Sequence, residues 1–419
     1  MTFPRTFIDR TFIKSGPPIH LIWFVTSKCN LRCLHCFYHE EVASPLNKEL
    51  PHDDMMKIIS NLPPLLSLVL TGGEPLFRSD IYELVKYIND RKICNTIRIY
   101  TNGHNTERSV QIIEKILSTC KNTRFFFTVS LDGYEKDHDT FRQAVGTFKK
   151  SIATILELKE LKKKYDHFDI TINTTLHDGN KNTIAEFRKD MYKKVGIYPT
   201  ITVIRAAPKS PELKKVDLEV YQQIIKNIEK DRMNTNDGSV FQTLVNTREV
   251  LGHEMSFKAF VDNKRDYDCY AGSLLGVIYA NGDVYPCEML PEACYGNIID
   301  YDHDLKKVWK SSKTEEIRQF IKDRKCSCTW ECQFTTNTLY NVNNWPRFAK
   351  DLIKNKVFNG KSEKGALAGN ETEKEENKLK LITQTRFDNI NTHENISDLK
   401  YDEINNVKLI SIRGISEKK

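Results

Sequence analysis

Residues 19–37, IHLIWFVTSKCNLRCLHCF, join a short apolar run to three closely spaced cysteines. The run at 19–25 is rich in β-branched and aromatic residues, which is typical of a buried strand. Cys29, Cys33 and Cys36 follow it with the spacing C-x3-C-x2-C. A structural zinc site uses four ligands, and His35 or His39 is available as a fourth; without one, the three cysteines leave one position of a metal centre open. The stretch therefore predicts chemistry directly after a first strand.

Further apolar runs alternate with helical patterns up to about residue 206. The runs with the composition of strands are 66–70, 96–100, 123–131, 168–176 and 200–204. The helical patterns are 53–61, 80–91, 106–118, with Asn105 as a predicted N-cap, 147–164 and 183–194. Six strands with helices between them predict a parallel sheet with right-handed crossovers, and a closed barrel needs eight. We therefore predict an α/β fold in which residues 15–206 form a partial (β/α)6 TIM-like barrel.

Short polar motifs follow four of the predicted strands. The cysteines follow the first strand, TGGEP (71–75) the second and TNG (101–103) the third, and SLDG (130–133) ends the fourth. In barrels of this kind the chemistry lies at the carboxyl ends of the strands. The four motifs are therefore expected to share one site.

The remainder of the chain is expected to form three further segments. Residues 207–268 have the pattern of a helical connector. Residues 269–344 form a small cysteine-bearing module, with a β-hairpin at 273–287 that turns at Asn281-Gly282 and a helix over 304–323. Residues 355–419 form a polar tail of dense charge, which indicates a flexible segment. Two strand-like runs in this tail, LKLITQTRF and NVKLISIRG, either pair with each other or stay disordered.

Composition narrows the class of protein. The hydrophobic content of 39% and charged content of 28% are those of a globular chain. No apolar stretch is long enough to cross a bilayer, and charges interrupt the N-terminal apolar run as they would not in a signal peptide. We therefore expect a cytoplasmic protein without a membrane partner. The net charge of +7 is spread over scattered lysines, which favours a solvated surface over nucleic-acid binding.

The chain has eleven cysteines, and most of them are clustered. In a reducing compartment clustered cysteines indicate metal binding or catalysis rather than disulfides. Cys94 and Cys120 stand alone and are expected to be small buried hydrophobic residues.

Several of these motifs together resemble the radical S-adenosylmethionine superfamily. Cys29, Cys33 and Cys36 match its signature in number, spacing and position, with Phe37 as the usual aromatic neighbour. TGGEP resembles the GGEP motif of that family, and residues 129–148, VSLDGYEKDHDTFRQAVGTF, resemble a subgroup with cysteine-rich C-terminal extensions. The resemblance implies that the three cysteines hold a 4Fe-4S cluster with one open iron. It also implies that S-adenosylmethionine binds there and yields a radical that abstracts hydrogen from a substrate.

The resemblance also suggests which residues bind the cofactor. It implies that Gly72, Gly73 and Glu74 meet the methionine end of S-adenosylmethionine, that Ser130 and Asp132 contact its ribose, and that Asn180 and Arg205 take further polar positions. Glu74 can instead act at the start of a helix, and Asn180 can be a helix N-cap. The spacing identifies no catalytic acid or base, although Glu288 is a candidate.

The second cysteine set is similar to the twitch module, a shortened SPASM domain that carries an auxiliary iron–sulfur cluster. Its candidate ligands are Cys269, Cys287, Cys326, Cys328 and Cys332. We expect one cluster, held by Cys269, Cys287 and two of the last three cysteines, whereas Cys294 falls outside the pattern. A zinc site with four cysteine ligands is the alternative for this module.

Three functions remain open from the sequence. The first is an oxidoreductase that dehydrogenates or epimerises a small-molecule or sugar-like metabolite, with flavodoxin or ferredoxin as the electron donor. The second is a maturase for a ribosomally made peptide or a protein side chain. Only 28 residues precede Cys29, fewer than a peptide-binding domain needs, so the maturase would require a separate partner. The third is a zinc-binding protein that is not an enzyme.

Overall fold

The strands form one open sheet in the computed structural model, which describes residues 3–14, 16–45, 48–234, 239–262, 267–323 and 336–359. They are β1 (His20–Thr26), β2 (Leu65–Gly72), β3 (Cys94–Thr101), β4 (Arg124–Ser130), β5 (Phe168–Leu176), β6 (Thr200–Val203), β7 (Leu275–Ile278), β8 (Asp283–Tyr285) and β9 (Gly296–Asn297). The helices are α1 (Phe3–Phe12), α2 (His39–Ala43), α3 (His52–Asn61), α4 (Ile81–Asp90), α5 (Thr106–Thr119), α6 (Glu135–Arg142), α7 (Thr147–Lys162), α8 (Ile184–Val195), α9 (Leu218–Asn234), α10 (Val240–Asp262), α11 (Leu305–Trp309), α12 (Ser312–Lys322) and α13 (Trp345–Asn359).

The sheet order is β6-β5-β4-β3-β2-β1-β7-β8-β9. Strands β1 to β6 pair in parallel with their neighbours in chain order, and β7 pairs in parallel with the other side of β1. Strands β8 and β9 continue the sheet in antiparallel fashion. The predicted α/β fold with an open six-stranded parallel core is therefore confirmed.

Strand β1 lies inside the sheet, and its burial explains its composition. Leu21 to Thr26 are all buried, and Trp23 and Phe24 are each 1% exposed. A parallel strand that is covered on both faces has a continuous apolar sequence rather than an alternating one. Strand β1 is apolar because β2 and β7 pair with its two edges and other elements cover both of its faces.

The connector covers the β6 end of the sheet. Tyr221, Ile224 and Ile228 of α9 and Val250 of α10 pack with buried residues of β5 and β6 in one apolar cluster. The predicted helical character of this segment is confirmed by α9 and α10. Asn105 also caps α5 as predicted, since its side chain accepts a hydrogen bond from Arg108 N.

The C-terminal hairpin has the predicted turn but an unexpected partner. Gly282 lies between β7 and β8 with φ +94°, a conformation that favours glycine. Strand β7 then pairs with β1, so the hairpin extends the sheet of the core. A long-range pairing of this kind leaves no trace in the local sequence pattern.

The single helix predicted over 304–323 is wrong, because the structure divides it into α11 and α12. The side chain of Ser311 accepts a hydrogen bond from Thr314 N and caps α12. Serine competes for backbone donors in this way and favours a helix start over a helix interior. Helix α6, which carries His138 and Arg142, lies outside the predicted helices, since the nearest of them begins at residue 147, where α7 begins.

Two predicted features lie outside the described residues. These are Cys326, Cys328 and Cys332 in the module, and the tail from residue 360 onward with its two strand-like runs. The first residues of the predicted tail, up to Asn359, belong to helix α13. Among the helices that the structure describes, none is long and apolar enough to cross a membrane.

Candidate active site at the carboxyl ends of the strands

A cavity of about 280 Å³ lies where the parallel strands end. Residues after β2, β3, β4 and β6 line it together with the loop that follows β1. The predicted site residues in its wall are Cys29, Cys33, Cys36, Gly72, Gly73, Glu74, Ser130 and Arg205. The motifs that follow separate strands in the sequence therefore meet at one site, as their positions predicted.

The three cysteines line the cavity as free thiols. Leu31 N lies 3.4 Å from the Cys29 sulfur, and Arg142 Nη1 lies 3.8 Å from the Cys33 sulfur. Burial raises the pKa of Cys29 to about 11 and that of Cys36 to about 12, and it also raises the pKa of Cys33. Thiolates are the metal-binding form, so a bound cation is what would hold these sulfurs deprotonated.

The donor set fits an iron–sulfur cluster better than a single metal ion. In the part of the chain that the structure describes, no three His, Cys, Asp or Glu side chains converge on one metal-sized position. Cysteines that each bind a different iron of a cluster do not need to converge in that way. All three cysteines line the same cavity, and three cysteine thiolates are a donor set that would hold a 4Fe-4S cluster with one iron left open.

Gly72 and Gly73 bring the second strand end against the start of the cysteine loop. Gly73 N donates to Thr26 O at 2.8 Å, and Glu74 N donates to Lys28 O at 2.9 Å. A Cβ on Gly72 would lie 2.1 Å from Thr26 O, and one on Gly73 would lie 2.1 Å from Lys28 O. Only residues without a Cβ permit this backbone approach. The two glycines therefore position the cysteine loop, besides lining the cavity.

Glu49 is a site residue that the sequence analysis missed. Its Oε1 accepts hydrogen bonds from Ser27 N at 2.7 Å, Thr26 Oγ1 at 2.7 Å, Ser27 Oγ at 2.8 Å and Lys28 N at 3.1 Å. Burial alone would raise the pKa of Glu49, but these donors outweigh it and lower the pKa to about 2. Glu49 lies in a connecting loop about twenty residues from its partners, so no local spacing could have identified it.

The Glu74 carboxylate accepts hydrogen bonds from two backbone N–H groups, and the residue also lines the cavity. Its Oε2 accepts from Asn102 N at 2.7 Å, and its Oε1 accepts from Leu76 N at 3.2 Å. The second contact caps the short 3-10 helix Pro75–Phe77, so the helix-start role considered for this residue is present. Burial raises the pKa of Glu74 to about 7 despite the two backbone donors.

Asp132 and Asn180 lie behind the cavity wall and do not line it. Asp132 is fully buried, and its carboxylate binds Arg142 and Thr175 N. The side chain of Asn180 binds Asp132 O, Thr175 O and His177 N. The polar side-chain atoms of both residues are thus used within the protein, and they support the backbone next to the cavity. Ser130, the other residue expected at the ribose, does line the cavity.

Arg205 and Glu288 reach the cavity from the β6 end and from the C-terminal module. The Arg205 guanidinium carbon lies 5.0 Å from the centre of the Phe37 ring, next to the third cysteine. Glu288 is 8% exposed, and its Oε2 has no hydrogen-bond partner among the described residues. Burial raises the pKa of Glu288 to about 7, although the charge of Arg205 acts in the opposite direction. Glu288 is thus a buried acceptor at the wall of the site.

The described cysteines of the second set pack together. Cys269 and Cys287 belong to one apolar cluster with Ala271 and Ile321. Ile321 is near the end of α12, shortly before the segment that contains Cys326, Cys328 and Cys332, which the structure does not describe. Cys294 lies instead beside Tyr285, whose pKa is raised by burial and further by this thiol.

Comparison with known proteins gives one family match in the core and another in the C-terminal module. The family model described as the radical SAM superfamily matches residues 23–191, and the SPASM model, described as an iron-sulfur cluster-binding domain, matches residues 269–333. An AdoMet-dependent heme synthase of Methanosarcina barkeri (strain Fusaro / DSM 804) is 27% identical over 309 residues, which cover 71% of this chain and 84% of that protein. A cysteine-type anaerobic sulfatase-maturating enzyme of Clostridium novyi (strain NT) is 24% identical over 353 residues, covering 74% and 84%.

The crystal structure of Streptococcus suis SuiB bound to its precursor peptide SuiA has a TM-score of 0.55 at 19% identity, covering 75% of this chain and 70% of that chain. At this identity the likeness concerns the fold alone. A radical SAM domain implies a 4Fe-4S cluster with S-adenosylmethionine, and a SPASM domain implies auxiliary iron–sulfur clusters. By these matches and by the motifs gathered at its cavity, the chain belongs to the radical SAM superfamily and carries a C-terminal SPASM/twitch iron–sulfur domain.

Proposed function

We propose that this radical SAM enzyme is an oxidoreductase that dehydrogenates or epimerises a small-molecule, sugar-like metabolite. The observation that carries the proposal is that the cysteine loop, the TGGEP loop and the C-terminal module all line the same cavity. When bound, the 4Fe-4S cluster and S-adenosylmethionine supply a 5′-deoxyadenosyl radical that abstracts hydrogen from the substrate. The protein's task is to hold the cofactor and one substrate carbon in contact and to exclude water.

We assign Cys29, Cys33 and Cys36 as the ligands of this cluster. Their loop is fixed from two sides, by the Gly72–Glu74 backbone and by the Glu49 carboxylate. Gly72, Gly73, Glu74, Ser130 and Arg205 then form the wall that we assign to S-adenosylmethionine. Asp132 and Asn180 hold that wall from behind through their hydrogen bonds to Thr175.

We assign Glu288 to substrate contact. Its carboxylate is buried in the cavity wall and has an acceptor oxygen without a partner among the described residues. A buried polar atom without a partner costs free energy, so a hydroxyl or amine of the substrate would stabilise it on binding. A polar metabolite with such donors, as a sugar has, is suitable for this position.

The auxiliary cluster is assigned to Cys269, Cys287 and two of Cys326, Cys328 and Cys332. The packing of the first two against Ile321 supports this assignment for the described residues. We further propose a cytoplasmic location, with flavodoxin or ferredoxin as the electron donor. The sequence contains no recognisable binding motif for either electron donor.

The class of substrate is the point on which the relatives differ. The heme synthase relative is named for a small-molecule product, which supports a metabolite as substrate here. The sulfatase-maturating relative is named for a protein substrate, and it supports a peptide or protein side chain as the second candidate. Both relatives are covered to 84% of their length, so coverage does not decide between the two candidates.

Anaerobic reconstitution with iron and sulfide tests the proposal. The reconstituted protein, supplied with dithionite and S-adenosylmethionine, is incubated with a panel of sugars and amino sugars and with a matched panel of peptides. We expect 5′-deoxyadenosine to rise above the substrate-free level with a metabolite, together with a loss of two mass units or an isomer of unchanged mass. A rise only with peptides would favour the maturase, and a protein that retains zinc but no iron would contradict both enzymatic functions.

A further inference from the structure

Helix α6 contacts the cysteine loop through its carboxyl end. Leu34 N, within the loop, donates to Phe141 O at 2.8 Å. Arg142, the last residue of α6, is 7% exposed and points its Nη1 at the Cys33 sulfur, 3.8 Å away. A cationic donor therefore lies directly against the second cysteine of the loop.

Asp132 fixes the direction of this guanidinium. Its Oδ2 accepts from Arg142 Nε at 2.8 Å and lies 2.7 Å from Nη2, while its Oδ1 accepts from Thr175 N at 2.9 Å. Two of the three guanidinium nitrogens are thus held by a fully buried carboxylate, and the third is left to face the sulfur. His35 also approaches Asp132 Oδ2, with its Nε2 at 3.5 Å, from the cysteine loop itself.

We propose that Arg142 is a positioning residue that donates a hydrogen bond to the Cys33 sulfur and makes the iron–sulfur cluster on the three cysteines easier to reduce. Hydrogen bonds to cluster sulfurs and nearby charge are among the factors that set the reduction potential of such clusters. A reduced cluster carries one more negative charge, so a fixed cation beside it stabilises the reduced form. The inference rests on the proposed cluster ligation by Cys29, Cys33 and Cys36.

A purely structural role for Arg142 makes a different prediction. Arg142 would then serve only to neutralise Asp132, and its removal would leave a buried charge unpaired. Stability would fall but the reduction potential of any cluster that still assembled would not change. The potential is therefore the quantity that separates the two roles.

The test is a redox titration followed by electron paramagnetic resonance, without S-adenosylmethionine. It is done on reconstituted protein that also carries Cys269→Ala and Cys287→Ala, so that only the first cluster contributes. At the potential where the parent is half reduced, we expect Arg142→Gln to lower the ratio of reduced to oxidised cluster about tenfold, equivalent to about 59 mV for a one-electron couple. Arg142→Lys, which keeps the charge, is expected to retain most of the parent ratio.

Arg188 provides the matched control. It is 1% exposed, and its Nη1 binds Asp231 Oδ2 at 2.9 Å, so Arg188→Gln also breaks a buried Arg–Asp pair. This variant is expected to leave the ratio unchanged. An unchanged ratio in iron-loaded Arg142→Gln, or an equal fall in Arg188→Gln, would overturn the proposal.

A double variant covers the case in which Arg142→Gln does not fold. Arg142→Met with Asp132→Asn removes both charges together, which avoids a buried unpaired charge and is often tolerated. We expect its ratio to fall as well, because the donor to Cys33 is lost, and an unchanged ratio would again contradict the inference. A parent protein that binds no iron would instead contradict the proposed function itself.

Discussion

At the scale of single residues, Glu49 determines how the cysteine loop leaves β1. One of its oxygens accepts four hydrogen bonds from Thr26, Ser27 and Lys28, the three residues that precede Cys29. Its other oxygen lies 3.5 Å from Lys28 Nζ. A carboxylate from a distant loop therefore orders the backbone that presents the first cluster ligand.

Replacing Glu49 by Gln is expected to destabilise the metal-free protein by about 1–3 kcal/mol near neutral pH, because hydrogen bonds to a charged acceptor are the stronger ones. Denaturant unfolding measures this free energy. Glu157→Gln, at an exposed position on α7, is the control and is expected to change stability little. Equal stability of Glu49→Gln and the wild type would contradict the role assigned to Glu49.

The same variant tests a predicted pH dependence of the unfolding free energy. The pKa of Glu49 is lowered from 4.5 to about 2 in the folded protein, so its stabilising effect is complete above about pH 4.5 and is lost as the pH falls towards 2. The difference in unfolding free energy between wild type and Glu49→Gln should therefore narrow as the pH is lowered from about 6 to about 3. A difference that stays constant or widens over this range would be evidence against a charged, hydrogen-bonded Glu49.

Residues whose role depends on local spacing were predictable, and those that depend on tertiary contacts were not. The three cysteines and the two glycines were identified because they follow apolar strands at fixed intervals, and the structure gathers them at one cavity. The spacing placed Asp132 after β4 but did not indicate that Arg142 and Thr175 N occupy its carboxylate. Such occupancy depends on which neighbours the fold supplies, and sequence spacing contains no measure of that.

At the scale of elements, the loop after β2 and the loop after β1 are in direct backbone contact. The carbonyl oxygens of Thr26 and Lys28 occupy the space where side chains of Gly72 and Gly73 would begin. Gly72 also has φ +124°, whereas Gly73 does not lie in the left-handed region. Gly73 therefore allows the contact itself to be tested without a change in backbone strain.

Gly73→Ala is expected to displace the cysteine loop, lower stability by about 1–3 kcal/mol or more, and reduce the iron bound after reconstitution. The control is Gly146→Ala, since Gly146 has φ +79° but nothing within 4 Å of an added Cβ. That change should cost about 1–2 kcal/mol of strain and leave the iron content intact. Normal iron binding by Gly73→Ala would show that the cysteine loop does not need the close approach of Gly73 to Lys28 O in order to bind iron.

Most elements of the core were predictable because they are long enough to show their periodicity. The six parallel strands and the helices between them lie within a few residues of the predicted ranges. Helix α6 has eight residues, about two turns, and lies outside the predicted helical ranges. The break at Ser311 depends on a capping hydrogen bond, which a periodic apolar pattern does not report.

At the scale of the whole molecule, β1 connects the core to the C-terminal module. Strand β2 pairs with one side of β1 and β7 with the other, so both parts share one sheet. Glu288, three residues after β8, consequently reaches the same cavity as the cysteine loop. The sequence predicted both parts but not their junction, since strand pairing across more than 250 residues has no local signature.

Two separate cysteine sets predict two clusters that can be removed independently. Wild-type protein is expected to bind about eight irons after reconstitution, and Cys287→Ala about four, because each cluster holds four irons. Cys94→Ala, a change at a buried cysteine on β3, is expected to retain the wild-type value. Iron and acid-labile sulfide analysis measures these contents, and a Cys287→Ala protein with undiminished iron would contradict the auxiliary site.

The central claim is that the cysteine loop after β1 holds a cluster that cleaves S-adenosylmethionine. Its most direct measurement is the yield of 5′-deoxyadenosine from anaerobically reconstituted protein with dithionite, compared among wild type, Cys94→Ala and the single alanine variants of Cys29, Cys33 and Cys36. We predict that wild type and Cys94→Ala form 5′-deoxyadenosine and that each of the three loop variants forms none. Undiminished cleavage by any loop variant, or no cleavage by iron-loaded wild type, would contradict the account.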